Sequence, residues 1–521
     1  MVVSSKSQRR ILALWFPRLP TDRLQRHGKA LKSPAGLLSE TAREVPPLAV
    51  VAKVDNALRL SAVDRKATSL GLAIGQPLAN ARAMLPALKV VAADEPADLK
   101  LLARIADWCD RFTPYVALDV PRGLLLDVTG AAHLFGGEQM MLNRIRESLH
   151  AQGFAVRGAM AGTAMASRAF ARHRDGAIIA SGEEAKAIAP LPIEALNLDT
   201  VTTHAFRRAG LKTVGQAASR KRSELTARFG AATVTTLDQA LGHAGKPVSP
   251  RRPLPDYWKE QGFAEPIVTE EAIRLTLKSL ATALSKVLEQ RGEGARRLEA
   301  AFFRADGAVR HIAIEMGTPT REPAIVERLF REKLDALADP LDPGFGFDLI
   351  RLSASRTERA DCETVDLDAG ASEKKEIGFL IDRLAARFGS HRILSFQPNG
   401  THIPEAAWTA VPAQYSQPSK LSWEKIRSAG DAPRRPLRLF ARPEPVILLT
   451  TVPDSPHLCW RRAQHAVMQC EGPERIAMEW WRHPAPQPAR DYFRVEDSEG
   501  RRYWLYRNGD SEQWFLHGLF A

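Results

Sequence analysis

The sequence has few cysteines and no long apolar run, and both absences exclude whole classes of protein. The four cysteines among 521 residues form no C-x-x-C pair, so neither a zinc site nor a disulfide framework is indicated. Scattered cysteines fit a reducing cytosol. No stretch reaches the ~18 uninterrupted apolar residues of a membrane span, and the apolar run after the basic N-terminus is too short for a secretory signal. We therefore expect a cytoplasmic protein with no membrane partner.

Positive charge is what the chain has in excess. Its 73 Lys and Arg residues outnumber the 60 Asp and Glu residues, which gives a net charge of +13. A basic balance of this size favours a polyanionic partner such as nucleic acid, although a solvated basic surface gives the same sum. The length of 521 residues is also too great for one core and predicts about three to five domains.

The first 190 or so residues alternate short apolar strands with amphipathic helices, a pattern typical of an α/β or α+β domain. A β-hairpin followed by a short helix is predicted over residues 113–136. The first arm has a period of two, and residues 124–128 form an apolar second arm. Between the arms, Pro121-Arg122-Gly123 is typical of a turn.

Residues 201–250 carry 8 Lys and Arg against 2 Asp and Glu, and their pattern predicts short, punctuated helices. Gly210-Leu-Lys-Thr-Val-Gly215 between two of them indicates a helix-hairpin-helix, whose glycines let backbone amides approach a DNA phosphate. Nearby cations would reinforce that contact. An ordinary αα-hairpin with a solvated basic face is the alternative. The predicted DNA-binding residues are Gly210, Lys212, Thr213, Gly215, Arg220, Lys221 and Arg222.

Residues 257–356 predict the order β-α-β-β-α-β, a small sheet with two helices on one face. Thr269 is the predicted N-cap of the first helix, and Gly292 ends it. Asp306-Gly307 is a strong hairpin turn between the second and third strands.

Beyond about residue 357 the signals weaken. Residues 373–388 predict a helix, and residues 395–436, rich in Pro, Ser and Ala, predict a linker. The C-terminal region holds five of the ten tryptophans, and a three-stranded meander is predicted near its end. A tryptophan-rich tail indicates either the core of a small β module or a contact surface.

Four segments in register resemble the Y family of translesion DNA polymerases. Residues 11–17 (ILALWFP) lie where that family has a strand with Asp-x-Asp, and residues 71–86 are similar to its fingers segment. Residues 126–130 (LDVTG) are similar to the segment after its Ser-x-Asp-Glu. The helix-hairpin-helix and the β-α-β-β-α-β unit stand where its thumb and little finger stand. No one of these motifs is highly specific, but their common register is.

This resemblance implies a multidomain α+β fold with a polymerase-like palm, fingers and thumb, a β-α-β-β-α-β little finger and a C-terminal β-rich interaction region. The expected boundaries are 1–190 for the palm with fingers inserted at about 28–90, 191–250 for the helical thumb, 255–357 for the little finger, 358–436 for a helix and linker, and 437–521 for the interaction region.

The chemistry of such polymerases needs acidic ligands for two magnesium ions. The Asp-x-Asp of the family aligns with Trp15 and Pro17, and its Asp-Glu pair aligns with Arg122 and Gly123. None of the usual ligands is present at these positions, and Arg122 places a positive charge where cations should bind. We therefore expect no catalytic residue, no metal and no cofactor.

Two further positions bear on activity. In the fingers, the triphosphate-gripping Tyr and Arg of the family align with Arg65 and Thr68. Thr68 has no charge where the family has Arg, whereas Arg65 can still contact a phosphate. A site rebuilt from Asp22 and Asp119 keeps open the alternative of an active, magnesium-dependent translesion polymerase with displaced ligands.

The sequence fits the catalytically inactive branch of this family, and its tail resembles the tail of that branch. The resemblance implies a non-catalytic adaptor of bacterial DNA-damage mutagenesis and the SOS response. Such an adaptor binds DNA and links the replication sliding clamp, a RecA-like accessory protein and an error-prone C-family DNA polymerase. It would be cytoplasmic and nucleoid-associated. A DNA-binding structural protein unrelated to damage is a third hypothesis.

Clamp binding usually needs a Gln-x-x-Leu-Phe type of peptide, whose apolar side chains fill a pocket. Two segments are poor matches that lack the Gln. Thr364-Val-Asp-Leu-Asp368 offers Leu367, and Pro436-Leu-Arg-Leu-Phe440 offers Leu439 and Phe440. The alternative for the second segment is the start of a strand.

Overall fold

The computed structural model describes residues 9–30, 46–54, 56–245, 248–337, 341–360, 369–416, 421, 434–449, 456–482, 488–509 and 513–520. The chain forms two compact units. One comprises Met1–Glu315 with Pro319–Cys362, and the other comprises Met316–Thr318 with Glu363–Ala521. No helix in the described ranges has the length and apolar content that a membrane crossing requires.

The first unit begins with the palm and the fingers. In chain order their elements are β1 (Ile11–Trp15), α1 (Leu19–Ala30), β2 (Leu48–Val54), β3 (Ala57–Val63), α2 (Arg65–Ser69), α3 (Leu78–Met84), β4 (Lys89–Ala92), α4 (Glu95–Cys109), β5 (Val116–Asp119), β6 (Gly123–Asp127), α5 (Glu138–Ala151), β7 (Arg157–Ala161), α6 (Ala164–His173) and α7 (Glu184–Ile188).

The palm sheet has the strand order β5-β6-β1-β7. β1 pairs antiparallel with both β6 and β7. Because successive side chains of a strand point to opposite faces, Ile11 and Ala13 enter one core and Leu12 and Leu14 enter the other. β1 is therefore an inner strand of the palm sheet, and the predicted hairpin is formed by β5 and β6.

The fingers form a separate sheet in the order β3-β2-β4, with β2 antiparallel to β3 and parallel to β4. Ala49, Leu60 and Ala67 lie in its core. The sequence pattern does not predict β4, since this four-residue strand pairs in parallel with a strand some forty residues away and has no local turn signal.

The thumb consists of α8 (Thr200–Arg208), α9 (Val214–Ala218), α10 (Arg222–Phe229) and α11 (Ala231–Ala240). Phe206, Leu225 and Leu237 are buried in the same core as Ile11 of β1. Palm and thumb are therefore packed through one continuous apolar core.

The little finger comprises β8 (Tyr257–Ile267), α12 (Glu270–Arg291), β9 (Glu293–Arg304), β10 (Val309–Thr320), α13 (Pro323–Asp335) and β11 (Phe347–Arg359). The sheet order is β10-β9-β11-β8, and each pair is antiparallel. Thr269 caps α12 by accepting from the Ala272 amide, and Gly292 ends α12 with φ of +67°. The predicted β-α-β-β-α-β order is confirmed.

The second unit contains a long helix, a small hairpin and a barrel. Its elements are α14 (Ala369–Phe388), β12 (Leu394–Pro398), β13 (Trp408–Pro412), β14 (Arg438–Leu449), β15 (His457–Trp460), β16 (Ala463–Ile476), β17 (Arg490–Asp497), β18 (Arg502–Asn508) and β19 (Trp514–Leu519). β14 to β19 form a closed barrel, in which β14 pairs with both β15 and β19.

This unit corrects two expectations. The predicted linker is not linker throughout, because β12 and β13 pair as an antiparallel hairpin. The three predicted C-terminal strands exist as β17, β18 and β19, but they are half of a closed six-stranded barrel. Pro443 and Pro445 lie inside β14 and hide it from a sequence pattern, because proline has no amide to give to a ladder.

Candidate functional site

The four residues that align with the metal ligands of the Y family lie together at one end of the palm sheet. Trp15, the last residue of β1, is paired with Gly123, the first residue of β6. The Phe16 amide donates to the Arg122 carbonyl oxygen at 2.8 Å, and Pro17 follows directly. The fold therefore brings all four aligned positions into one neighbourhood.

Arg122 joins this end of the palm to the fingers. Its Nη2 donates to the carbonyl oxygen of Ser61 in β3 at 2.8 Å, and its Nη1 donates to the carbonyl oxygen of Pro17 at 3.3 Å. Burial lowers the pKa of the guanidinium from its usual value, but arginine stays charged in proteins. A half-buried cation therefore spans the palm hairpin and the fingers sheet at a position where the resemblance places a metal ligand.

Gly123 leaves no room for a side chain. A Cβ at this position would lie 2.9 Å from Asp119 Oδ2 and 3.0 Å from the Asp119 carbonyl oxygen. The second neighbour is backbone of the same hairpin and cannot rotate away. A side chain at position 123 therefore requires Asp119, and with it the hairpin, to shift.

Trp15 and Asp119 are held by two arginines of α6. The Arg172 guanidinium lies 4.2 Å from the centre of a Trp15 ring, a cation–π contact. Asp119 receives a bidentate ion pair from Arg168, with Nη2–Oδ1 at 2.5 Å and Nε–Oδ2 at 2.9 Å. Arg172 Nη2 lies 3.9 Å from Asp119 Oδ2 as well. The Asp119 carboxylate is thus neutralised by cations of the protein.

Asp22, the other acid in the hypothesis of a rebuilt site, is also committed. It lies on α1 and is 7% exposed, and its Oδ2 accepts from the Ala155 amide at 2.9 Å. Burial raises the pKa of Asp22 to about 6. This carboxyl serves the packing of α1 against the segment that precedes β7.

The side chains at this end of the palm sheet do not fit a two-metal site, which needs several carboxylate oxygens arranged around both ions. An indole, a guanidinium and a glycine occupy the aligned positions, and Asp119 is already ion-paired. Across the described residues, no group of three or more His, Cys, Asp or Glu side chains is arranged to hold a metal ion.

The two fingers residues that align with the triphosphate-gripping positions of the family lie in different environments. Thr68 donates from Oγ1 to the Asp64 carbonyl oxygen at 2.7 Å, so its hydroxyl is engaged inside α2. Arg65, at the start of α2, is exposed. Of the two aligned residues, only Arg65 retains a charge that can reach a phosphate.

The thumb contains the hairpin that the sequence predicts between two helices. Gly210 follows α8 with φ of +76°, a conformation that favours glycine. Thr213 is the N-cap of α9, and it forms a capping box with Gln216. The loop is therefore a rigid, capped turn.

The structure corrects the expectation that loop amides donate to a phosphate. Each amide from residue 210 to residue 215 donates within the protein, and two of them share the Gln216 side chain. Gly215 is a glycine because a Cβ there would lie 3.0 Å from Ala189, not because a phosphate approaches. The acceptors are Arg207 O for Gly210, Phe206 O for Leu211, Gln216 Oε1 for Lys212 and Thr213, Leu191 O for Val214 and Ala189 O for Gly215.

The four cations predicted to bind DNA in the thumb divide into two groups. Lys212, Arg220 and Lys221 are exposed, and no described residue forms an ion pair with them. Arg222, in contrast, donates from Nη2 to Asp238 Oδ1 at 2.8 Å and ties α10 to α11. Three of the four predicted cations are therefore available to a polyanion, and Arg222 is a structural link.

The two peptides considered for clamp binding have different outcomes. Leu367 lies outside the described residues. Leu439 and Phe440 lie in β14, where Leu439 packs against an aromatic cluster on the barrel and Phe440 against the barrel core. The Phe440 ring is 6.1 Å from a Trp460 ring. This packing favours the alternative considered for the segment, the start of a strand, because a clamp pocket would have to compete with the barrel for both side chains.

Sequence reasoning missed Arg168 and Arg172. They lie four residues apart on α6, so they share one helix face. That spacing was a visible signal of a paired cationic face. Their targets, Asp119 and Trp15, follow only from the fold.

Comparisons with known proteins bear on the whole arrangement. The impB/mucB/samB family model matches residues 39–172, and the impB/mucB/samB family C-terminal domain model matches residues 256–367. The chain is 39% identical over 470 residues to Protein ImuB of Caulobacter vibrioides, in each of two strains. These alignments cover 87% of this chain and 100% of the relative.

Solved structures that resemble the chain include DinB from Sulfolobus solfataricus and an insertion ternary complex of Dbh DNA polymerase. Both are 15% identical to this chain and cover 66% of it, with TM-scores of 0.38 and 0.39. The matches span 98% and 97% of those chains. The family assignment does not depend on these two structures. Identity to a full-length relative and the matches to both family models lead to one conclusion: the chain belongs to the ImuB family.

Proposed function

We propose that the chain is a non-catalytic, DNA-binding adaptor of damage-induced translesion synthesis and mutagenesis in the SOS response. It holds DNA through its thumb and links the sliding clamp, a RecA-like accessory protein and an error-prone C-family polymerase that performs the synthesis. This role would be exercised in the cytoplasm, at the nucleoid.

One observation carries the non-catalytic part of the proposal, namely the structure around Arg122 and Gly123. Arg122 donates to carbonyl oxygens of palm and fingers, and Gly123 has no space for a side chain. Two-metal phosphoryl transfer needs carboxylates at positions of this kind. In this proposal the chain retains the fold of the palm but does not catalyse phosphoryl transfer.

The thumb supports the DNA-binding part. Three exposed cations stand around a rigid hairpin, and cations that contact phosphates hold DNA without reading its sequence. Because the loop amides are engaged internally, side chains provide the contact. The excess of 13 positive charges in the whole chain favours the same partner.

Reconstitution tests the linking part. A C-family polymerase is placed on a primed, clamp-loaded template that carries a lesion, at a salt concentration where it dissociates without help. With the accessory protein present, adding this chain should retain the polymerase on the template and restore extension past the lesion. If synthesis is equally low with and without the chain, the adaptor role is contradicted.

The second candidate function is an active polymerase with displaced ligands. The observation in its favour is that Asp22, whose pKa burial raises to about 6, is still mostly ionised at neutral pH, the form that a metal ion binds. Its contacts with the Ala155 amide, and those of Asp119 with Arg168, count against it. A primer-extension assay on the isolated chain separates the two functions.

A further inference from the structure

A cavity of about 450 Å³ lies inside the first unit, where the little finger meets the palm. The tip of the β9–β10 hairpin touches the palm there, since a Cβ on Gly307 would lie 2.1 Å from Gln152 Oε1. The volume is within the range of small-ligand pockets. Neither the thumb nor Arg122 contributes to the lining, so the cavity is separate from the sites described above.

Four arginines from four elements line this cavity, two from the palm and two from the little finger. They are Arg26 of α1, Arg104 of α4, Arg304 of β9 and Arg310 of β10. The two carboxylates in the lining are already engaged. Asp306 accepts from Arg304 Nε at 2.7 Å. Asp107 is ion-paired with Arg251 and Arg252 of the segment that precedes the little finger. The lining therefore carries an excess of positive charge.

Arg26 is half-buried in this lining and forms no ion pair with any residue that the structure describes. Its Nη1 donates to the Gln152 carbonyl oxygen, and its guanidinium lies 4.0 Å from the centre of the Phe154 ring. The two carboxylates that act on it from a distance, Asp22 and Asp306, are each bound to another group. A partly desolvated charge without a counter-ion costs free energy, and an anion in the cavity would recover it.

Arg104 presents a second guanidinium to the same space. It is exposed, and within the described ranges no carboxylate is paired with it. A guanidinium binds phosphate oxygens through two parallel hydrogen bonds, and two unpaired guanidinium groups match a phosphate with two negative charges. The composition of the lining therefore points to a phosphate-bearing ligand.

We propose that this cavity binds a phosphate group, with Arg26 and Arg104 as its contacts on the palm and the two arginines of the β9–β10 hairpin as its contacts on the little finger. A phosphate held from both sides ties the little finger to the palm. The proposal goes beyond the proposed function and does not depend on it. Phosphate chemistry has two sources, a free phosphorylated molecule and the DNA backbone, and the test separates them.

Calorimetric titration of the full-length chain with sodium pyrophosphate, at constant ionic strength and without magnesium, tests the proposal. We expect Arg26→Gln with Arg104→Gln to weaken binding at least about 30-fold, because two charge-assisted contacts are lost. In the wild type, pyrophosphate should slow the amide hydrogen exchange of the hairpin tip, residues 304–310, whereas in the double variant it should not.

Lys89→Gln with Lys100→Gln is the matched control. Both lysines are exposed and lie outside the lining, and Lys100 is one turn before Arg104 on α4. The control removes the same net charge, and its affinity should stay within about twofold of the wild type because distant charges are screened. Arg104→Gln alone leaves the contacts of Arg26 intact, so it separates loss of the site from loss of folding. It should weaken binding at least about fivefold.

Three results would overturn the proposal. They are failure of the wild type to bind pyrophosphate, an equal loss in the lysine control, and wild-type affinity in both arginine variants. Competition then identifies the source. Displacement of pyrophosphate by ATP supports a free phosphorylated ligand, and displacement by a short duplex, in a chain whose thumb cations are reversed, supports a DNA phosphate. Displacement by neither would make the anion adventitious and overturn the proposal. DNA binding by the thumb is measured separately, so its failure leaves this site unaffected.

Discussion

The end of the palm sheet and the thumb hairpin are both places where the Y-family resemblance predicts contact with a substrate, and they have diverged in opposite ways. At the palm, the side chains of Arg122 and Asp119 form contacts within the protein. At the thumb, the backbone amides form internal contacts, while Lys212 and Arg220 remain exposed.

This difference teaches which group must be examined before a family site is carried over to a new chain. Catalysis by two metals depends on particular oxygen atoms, and Trp15, Arg122 and Gly123 supply no carboxylate at the aligned positions. Phosphate binding depends on charge within reach, which several side chains provide interchangeably. A phosphate-binding surface can therefore tolerate rearrangements that a two-metal site cannot.

The largest expected effect is at Gly123. Gly123→Glu, which introduces a carboxylate, should lower the free energy of unfolding by more than about 3 kcal/mol, because its Cβ crowds Asp119 and its charge is placed beside the Asp119 carboxylate. Gly123→Ala should cost about 1–3 kcal/mol. Chemical denaturation measures both. Gly378→Ala is the control, since a Cβ there meets nothing within 4 Å and alanine favours the helix. A stable Gly123→Glu protein would show that the palm end can still accept a ligand.

Charge reversal at the thumb should produce the next largest effect. The triple variant Lys212→Glu, Arg220→Glu and Lys221→Glu should weaken DNA binding by about 100-fold at moderate salt and flatten its salt dependence. Fluorescence anisotropy on duplex DNA over a salt series measures both quantities. Unchanged affinity and an unchanged salt dependence would show that the thumb is not part of the DNA-binding surface. The contrast between palm and thumb would then be wrong.

The next prediction concerns the palm, where the buried Asp22 carboxyl should make the stability of the protein depend on pH. Its pKa is raised from 3.8 to about 6 in the fold, so the charged carboxyl is disfavoured there. The stability that the protonated Asp22 carboxyl contributes is therefore fully present below about pH 4. It falls as the pH rises towards 6 and changes no further above that pH. Asp22→Asn should gain about 2–3 kcal/mol relative to wild type between pH 4 and pH 7.

Denaturation at several pH values, with and without magnesium, checks this prediction. We expect magnesium to leave the difference between Asp22→Asn and wild type unchanged. If magnesium stabilised the wild type alone, Asp22 would be a metal ligand and the rebuilt site would be supported.

The smallest expected effect separates Arg222 from the other thumb cations. Arg222 is paired with Asp238, so Arg222→Gln should change DNA affinity by less than about threefold while lowering stability by ~0.5–1 kcal/mol. Anisotropy and denaturation of the same preparation measure the two effects. A loss of affinity as large as that of Lys212→Gln would mean that Arg222 leaves Asp238 to meet DNA.

Local signals predicted much of the fold. α12 was bounded correctly because Thr269 can cap a helix and Gly292 can end one in the left-handed conformation. The barrel was only half predicted, because its closure depends on β14 pairing with β19, some seventy residues away, and Pro443 and Pro445 conceal β14.

The residues of the candidate site follow from the sequence, but their contacts do not. Trp15 and Gly123 are paired because β1 and β6 are neighbouring strands, and the family resemblance already places both residues at one site. The bond from Arg122 to Ser61 joins two separate sheets, and the close approach of Gly215 to Ala189 joins the thumb to the segment before it. Contacts of this kind depend on how elements pack, which periodicity does not encode.

Primer extension by the isolated, full-length chain tests the central claim most directly. The purified protein is incubated with a primed template, all four deoxynucleoside triphosphates and magnesium, under conditions where anisotropy shows the template to be bound. We predict binding without extension of the primer. Magnesium-dependent extension that is lost in Asp22→Ala or Asp119→Ala would contradict the account and establish an active site built from displaced ligands.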